Sequence, residues 1–174
     1  MSAAAFASQL EERVGPERLS RIAEEIRHVE EELERRLSSE VKLVEHTAKH
    51  TLHAGGKRLR PALVTLSAEA AGLPFEPART RRLGACMEMI HMATLMHDDV
   101  IDRAGMRRGT ETSAAKFGTT ASILTGDVLL SKAMAILAED GDLEIIRNVA
   151  RAVVDLAEGE VHELQSRGKL ALSK

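Results

Sequence analysis

The feature that most restricts the fold of this chain is the spacing of its apolar residues. Leu19, Ile22, Ile26, Val29, Leu33 and Leu37 recur at three- and four-residue steps between charged residues, which puts them on one face of an α-helix. The same pattern predicts helices from Pro16 or Glu17 to about Leu37, Val41–Ala54, Pro61–Ala71, Ala78–Ile101, Ser122–Ala138 and Leu143–Gln165. Pro16 and Pro61 suit first helical turns, and Gly55-Gly56 and Gly141 suit helix ends. Alternation of period two, the mark of a half-buried strand, appears nowhere. The expected fold is therefore all-α, a bundle of about six helices in one domain over residues 1–174. A coiled coil is the rival for the first helix, but its pattern lasts under three heptads.

Composition narrows the function classes. With 174 residues, 44% apolar and 29% charged, the chain is long enough to bury a core and reads as a soluble globular protein. A net charge of −3 gives no general attraction for nucleic acid or an anionic membrane. Phe6, Phe75 and Phe117 are the only aromatic residues of the Phe, Trp and Tyr class, so stacking on bases is disfavoured as well. Cys86 is the single cysteine, which excludes an internal disulfide and fits a reduced, cytoplasmic setting. Met1–Leu10 lacks the features of a signal peptide, and no stretch approaches the roughly 18 uninterrupted apolar residues of a membrane span.

The chemistry concentrates at the end of the fourth predicted helix. His91-Met-Ala-Thr-Leu-Met-His97-Asp98-Asp99-Val100-Ile101-Asp102 places three carboxylates within five residues. Asp98 and Asp102 lie one helical turn apart on one face, with His91 two turns before Asp98. Like charges at that spacing repel, and an acidic C-terminal end opposes the helix dipole. Two violations of local preference at one place point to a functional site with a bound cation, and hard oxygen ligands suit Mg²⁺ shared with a phosphate group. A solvated acidic helix end is the plainer alternative.

Two basic segments complete the set. Gly55-Gly56-Lys57-Arg58-Leu59-Arg60-Pro61 puts three cations beside a helix N-terminus, a good anion site or else a basic capping loop. Arg107-Arg108-Gly109 either forms ion pairs with Asp99 or Asp102 or contacts phosphate oxygens. His97 has only its adjacency to the aspartates to recommend it; His28, His46, His50, His53, His162 and Cys86 read as structural. Neither a Walker-type phosphate loop nor a Gly-x-Ser-x-Gly elbow is present.

These pieces, with Gly126-Asp127 and Gly159-Glu160, resemble the trans-isoprenyl diphosphate synthases (polyprenyl synthetases) in order and spacing over roughly residues 40–168. The resemblance implies the N-terminal half of an isoprenoid-synthase helical bundle. It implies a Mg²⁺-dependent prenyltransferase that condenses isopentenyl diphosphate with an allylic diphosphate such as farnesyl diphosphate. On that likeness Asp98 and Asp102 would be Mg²⁺ ligands, with Asp99 assisting. Gly56, Lys57, Arg60, His91 and Arg108 would bind isopentenyl diphosphate, and Arg107 would hold the allylic diphosphate. A homodimer through the helices around Ser122–Gln165 is implied too.

Short-chain members carry bulky aromatics four or five residues before the first aspartate. Here those positions are Thr94 and Ala93, with Met87 further down the helix, which implies a cavity admitting medium- or long-chain products. The second aspartate-rich motif of the family is not in this sequence, and Glu111 stands where the family often has Pro. The expectation is accordingly the N-terminal portion of a synthase, with impaired turnover when isolated. The alternative is a non-catalytic regulatory or scaffold subunit of a heteromeric prenyl synthase.

Overall fold

A computed structural model describes residues 15–72 and 76–167. The middle of the expected Gly72–Pro77 turn, Met1–Leu10, and the end from Gly168 to Lys174 lie outside the described residues. The chain divides into two compact units, residues 1–136 and 137–174. The described residues form helices α1 (Pro16–Leu37), α2 (Lys42–His53), α3 (Leu59–Ala70), α4 (Pro77–Ile101), α5 (Ser113–Phe117), α6 (Thr119–Asp140) and α7 (Leu143–Ser166). Between α4 and α5 sit two short strands, β1 (Met106–Arg107) and β2 (Thr110–Glu111).

The organising element of the first unit is α4, which packs against α1, α2, α3 and α5. Its deepest residues are Ala85, Cys86, Met89, Met92, Ala93 and Met96, whereas of the apolar positions Leu83, Met87, Ile90 and Leu95 only Ile90 is buried. The reason is that α4 is covered on several sides, where small residues admit close neighbours and unbranched Met fills what remains. A Cβ on Gly84 would already touch Val29 and Pro61 at 3.4–3.5 Å. Cys86 is a core residue, as expected; burial pushes its thiol up to about 11, and its Sγ lies 3.5 Å from the Ala133 carbonyl oxygen.

Helix α1 buries Val29, Leu33 and Leu37 within the unit, so its stripe belongs to a bundle. Lys132 of α6 donates to the carbonyls of Arg36 and Ser38, both at 2.7 Å, and so satisfies the otherwise open C-terminal end of α1. Helix α3 begins two residues before the expected Pro61. Proline is tolerated there because the N–H groups of a first turn have no helical partner to lose.

The α4–α5 connection departs from the expected absence of strands. Arg108 and Gly109 both take positive φ, 54° and 80°, and reverse the chain between Met106-Arg107 and Thr110-Glu111. That is the turn geometry favoured by two-residue hairpins, and strands of two residues show no readable periodicity. Helix α6 carries an 18-residue window of mean hydropathy 1.5, long and apolar enough to cross a membrane by those measures alone. In the first unit its Ser122, Thr125, Leu129, Ala133 and Ile136 are buried, as in a core helix.

In the second unit, α7 starts at Asp142, whose carboxylate accepts from the backbone N–H groups of Glu144 and Ile145. None of its apolar residues Ile146, Val149, Val153, Leu156, Val161 and Leu164, which recur at helical spacing, is buried; Leu156, Val161 and Leu164 are exposed. A lone helix cannot bury its own apolar stripe, and besides α7 the described residues of its unit are only the last residues of α6 and the short connection.

Leu33 is fully buried, so Leu33→Ala should destabilise the chain by about 2–5 kcal/mol in urea unfolding. A change within error would remove α1 from the core.

Candidate active site

The basic segment links the end of α2 to the start of α3. Gly55 turns it with φ 85°, and Arg58 takes the left-handed conformation at φ 46° immediately before α3. For a residue with a side chain that conformation costs roughly 1–2 kcal/mol, so something else must hold it. The guanidinium does so. Arg58 Nε lies 2.9 Å from Glu30 Oε1, Nη1 lies 3.0 Å from Glu88 Oε1, and Nη2 donates to the Leu52 carbonyl at 2.8 Å.

With Arg58 turned inward, Lys57 and Arg60 stay exposed on either side of it. They line a cavity of about 500 Å³ together with Gly55, Gly56, Arg58, Glu88, His91 and Arg108. All five residues expected at the isopentenyl site are thus brought to one place. Gly56 lies directly under the two guanidinium groups: a Cβ there would lie 2.9 Å from Arg108 Nη1 and 3.1 Å from Arg58 Nη1. Arg108, at the hairpin tip, donates through Nη1 to the Gly55 carbonyl and so joins the ribbon to the loop.

His91 is half-buried on α4. Burial pushes its imidazole below the usual range; Arg60 adds to this, Glu88 opposes it, and Arg108 and Arg107 add further. A neutral ring among cations can accept or donate one hydrogen bond, and it gains a proton most readily when an anion arrives.

Two turns further along α4 come the carboxylates. Asp98 is half-buried and Asp102 exposed, while Asp99 is buried and points elsewhere, its Oδ1 2.8 Å from Arg107 Nε. Burial raises the Asp98 carboxyl above its usual range; Arg107 works against this, and Asp102 and Asp99 reinforce it. A carboxylate crowded in this way is relieved by a nearby cation. Among the described residues no group of three or more His, Cys, Asp or Glu side chains is placed to hold a metal ion. The Asp98/Asp102 pair therefore fits an ion that completes its shell with water and phosphate oxygens, and does not fit a closed protein cage. Of the two roles open to Arg107 in the sequence, the structure displays the ion pair.

The proposed chain-length residues stand apart from the basic cavity. Ala93 is fully buried, Met87 and Thr94 are half-buried, and none of them lines the cavity described above. Thr94 Oγ1 donates to the His91 carbonyl at 2.9 Å.

Sequence reasoning passed over Glu88 and the inward role of Arg58. The available signal was a single carboxylate, Glu88, inside the apolar run Ala85–Met92. It also passed over the seat of His97, whose Nε2 lies 3.2 Å from the Ile123 carbonyl and 3.5 Å from Asp127 Oδ1. A Cβ on Gly126 would run into that ring, so the Gly126-Asp127 pair is shaped to it.

Fold and site together define a predominantly helical protein with a cavity lined by basic side chains and, on the same central helix, a carboxylate pair. A family model described as polyprenyl synthetase matches residues 41–174, and the chain belongs to that family. It is 35% identical over 149 residues to the all-trans-nonaprenyl-diphosphate synthase (geranyl-diphosphate specific) of Rhodobacter capsulatus, covering 86% of this chain and 46% of that protein. It is 37% identical over 146 residues to heptaprenyl diphosphate synthase component 2 of Geobacillus stearothermophilus, covering 84% and 45%. A polyprenyl synthase from Caulobacter crescentus, solved with calcium and isoprenyl diphosphate, superposes with a TM-score of 0.84 at 36% identity, covering 91% of this chain and 48% of that one. The chain spans a little under half the length of these relatives, and what it resembles is their N-terminal half.

The His91 ring should titrate by NMR with a midpoint below 6.5. As pH falls the unfolded chain then takes up this proton first, so the stability held by neutral His91 is complete above about pH 6.5 and declines below it. A midpoint at or above the ordinary value would contradict the buried, cation-flanked setting.

Proposed function

We propose that the chain is a trans-polyprenyl diphosphate synthase, or the N-terminal portion of one, that adds isopentenyl diphosphate to an allylic diphosphate such as farnesyl diphosphate. The observation that carries this reading is the convergence of Gly56, Lys57, Arg60, His91 and Arg108 on one cavity, with the aspartates on the helix that supplies His91. Lys57, Arg60 and Arg108 neutralise the diphosphate of the nucleophile, Gly56 lets the backbone approach it, and His91 contributes a hydrogen bond.

Asp98 and Asp102 are the side chains that would hold Mg²⁺. That ion would supply electrostatic stabilisation of the departing allylic diphosphate. Asp99 fixes Arg107, so that its remaining N–H groups are oriented for the same diphosphate. The allylic C–O bond breaks, the π electrons of isopentenyl diphosphate form the new C–C bond, and the proton lost afterwards goes to the leaving diphosphate, so no protein base is needed.

Chain elongation by these 174 residues alone is expected to be impaired, because the second aspartate-rich motif implied by the family is not in the sequence. Homodimerisation is part of the proposal; it is supported by exposed Leu124 and Met134 on α6 and by Leu156, Val161 and Leu164 on α7. A cytoplasmic setting is proposed from the single buried cysteine.

The deciding experiment supplies Mg²⁺, isopentenyl diphosphate and farnesyl diphosphate to the purified chain, and scores both elongated products and diphosphate binding. Binding of the allylic diphosphate in the presence of Mg²⁺, lost in Asp98→Ala, is the expected result. Retention of Mg²⁺-dependent binding in that variant would sink the assigned role of the carboxylate. Neither binding nor turnover in the parent chain would leave ancestry alone and favour the subunit alternative.

Products, where formed, should be medium- or long-chain, and Ala93→Phe should shorten them. Because Ala93 is fully buried, that variant should also lose about 1–3 kcal/mol through overpacking. A farnesyl-length product alone from a shorter allylic primer, or an unchanged distribution in the variant, would refute the chain-length argument.

A further inference from the structure

We propose that Arg58 is a positioning residue: it sets Lys57 and Arg60 against His91 and keeps the charge of Glu88 out of the diphosphate cavity. The inference rests on the isopentenyl diphosphate reading of that cavity and adds to it a residue that never touches the ligand.

Four observations carry it. Arg58 lies in sequence between the two exposed cations of the cavity, yet its own side chain is only 9% exposed. Each of its three guanidinium nitrogens has a protein acceptor on a different element: Glu30 on α1, Glu88 on α4 and the Leu52 carbonyl near the end of α2. One side chain thus ties the loop to three helices. The second tie matters most for the site, because Glu88 and His91 are three residues apart on α4 and share a face. The bond that anchors the loop therefore also fixes its distance from the imidazole.

The third observation concerns charge. Glu88 is buried at 4% exposure and still borders the cavity. Unpaired, its carboxylate would repel a diphosphate in a region of low dielectric; paired with Arg58 Nη1 at 3.0 Å, it is compensated. The fourth is the backbone. Arg58 keeps a left-handed conformation that a side chain ordinarily avoids, and the three contacts of the guanidinium fork account for it. Lysine carries the same charge but not the planar fork, so Arg58→Lys tests geometry rather than charge.

The test is calorimetric titration of isopentenyl diphosphate into the 174-residue chain, with thermal unfolding recorded for every variant. Arg58→Lys should bind at least about tenfold more weakly with unchanged stoichiometry, since a merely structural role would lower the binding-competent fraction and leave the Kd of that fraction unchanged. Lys57→Ala should weaken binding by itself. Combined with Arg58→Lys it should add less than its separate effect, because a misplaced lysine has little left to lose. Should Arg58→Lys fail to fold, Glu30→Ala carries the test. Glu30 is 46% exposed and does not border the cavity, and loosening this one tie should weaken binding by about threefold. An unchanged Kd in Arg58→Lys or Glu30→Ala, or fully additive effects in the double variant, overturns the positioning role alone. If the parent chain binds no isopentenyl diphosphate, the reading of the cavity falls, and this inference with it.

Discussion

The first unit depends on the burial of one helix from several sides. Helix α4 can be surrounded by α1, α2, α3 and α5 because its inner positions are Gly84, Ala85, Cys86 and Ala93, with methionines between them. Small residues let neighbouring backbones approach, and the pliant thioethers fill the irregular space left over. A helix held so firmly is a ruler. It carries Glu88, His91, Asp98, Asp99 and Asp102 at fixed rises and angles, so the anion cavity and the acidic end keep a constant separation.

Charge in this unit is handled by pairing at depth and exposure at the cavity. Arg58 and Glu88 are buried and matched, and buried Asp99 is matched by half-buried Arg107, whereas Lys57, Arg60, Arg108 and Asp102 are exposed. The buried pairs add little net stability, because desolvation offsets much of their attraction. What they provide is geometry. Each fixes an element that bears a functional group: the α2–α3 loop in one case and the hairpin in the other. Membership of the polyprenyl synthetase family gives this arrangement its context, since relatives of about twice the length share the same half.

Much of the site was legible in the sequence because it is local. Asp98 and Asp102 are one turn apart on any helix, and glycines followed by cations beside a helix start mark a candidate anion site. Less legible was anything that depends on neighbours distant in sequence. Arg58 read as one more cation of its loop; only the approach of Glu30 and Glu88, 28 and 30 residues away, turned it inward. The burial of α4 was hard to read for a related reason, because periodicity marks one face and this helix is covered on more than one. The strands at Arg107 and Thr110 were too short for any period to appear.

The sequence by itself determined that the chain is helical, where most helices begin and end, and which residues are candidates for diphosphate and cation chemistry, because helix propensity, capping and i,i+4 spacing act over a few residues. Tertiary structure alone decided that Lys57, Arg60, His91 and Arg108 share a cavity, that buried Asp99 turns to Arg107, and that Arg58 and Glu88 are buried together. Those outcomes depend on which helices meet, and meeting is governed by packing and desolvation over the whole unit rather than by any stretch of chain.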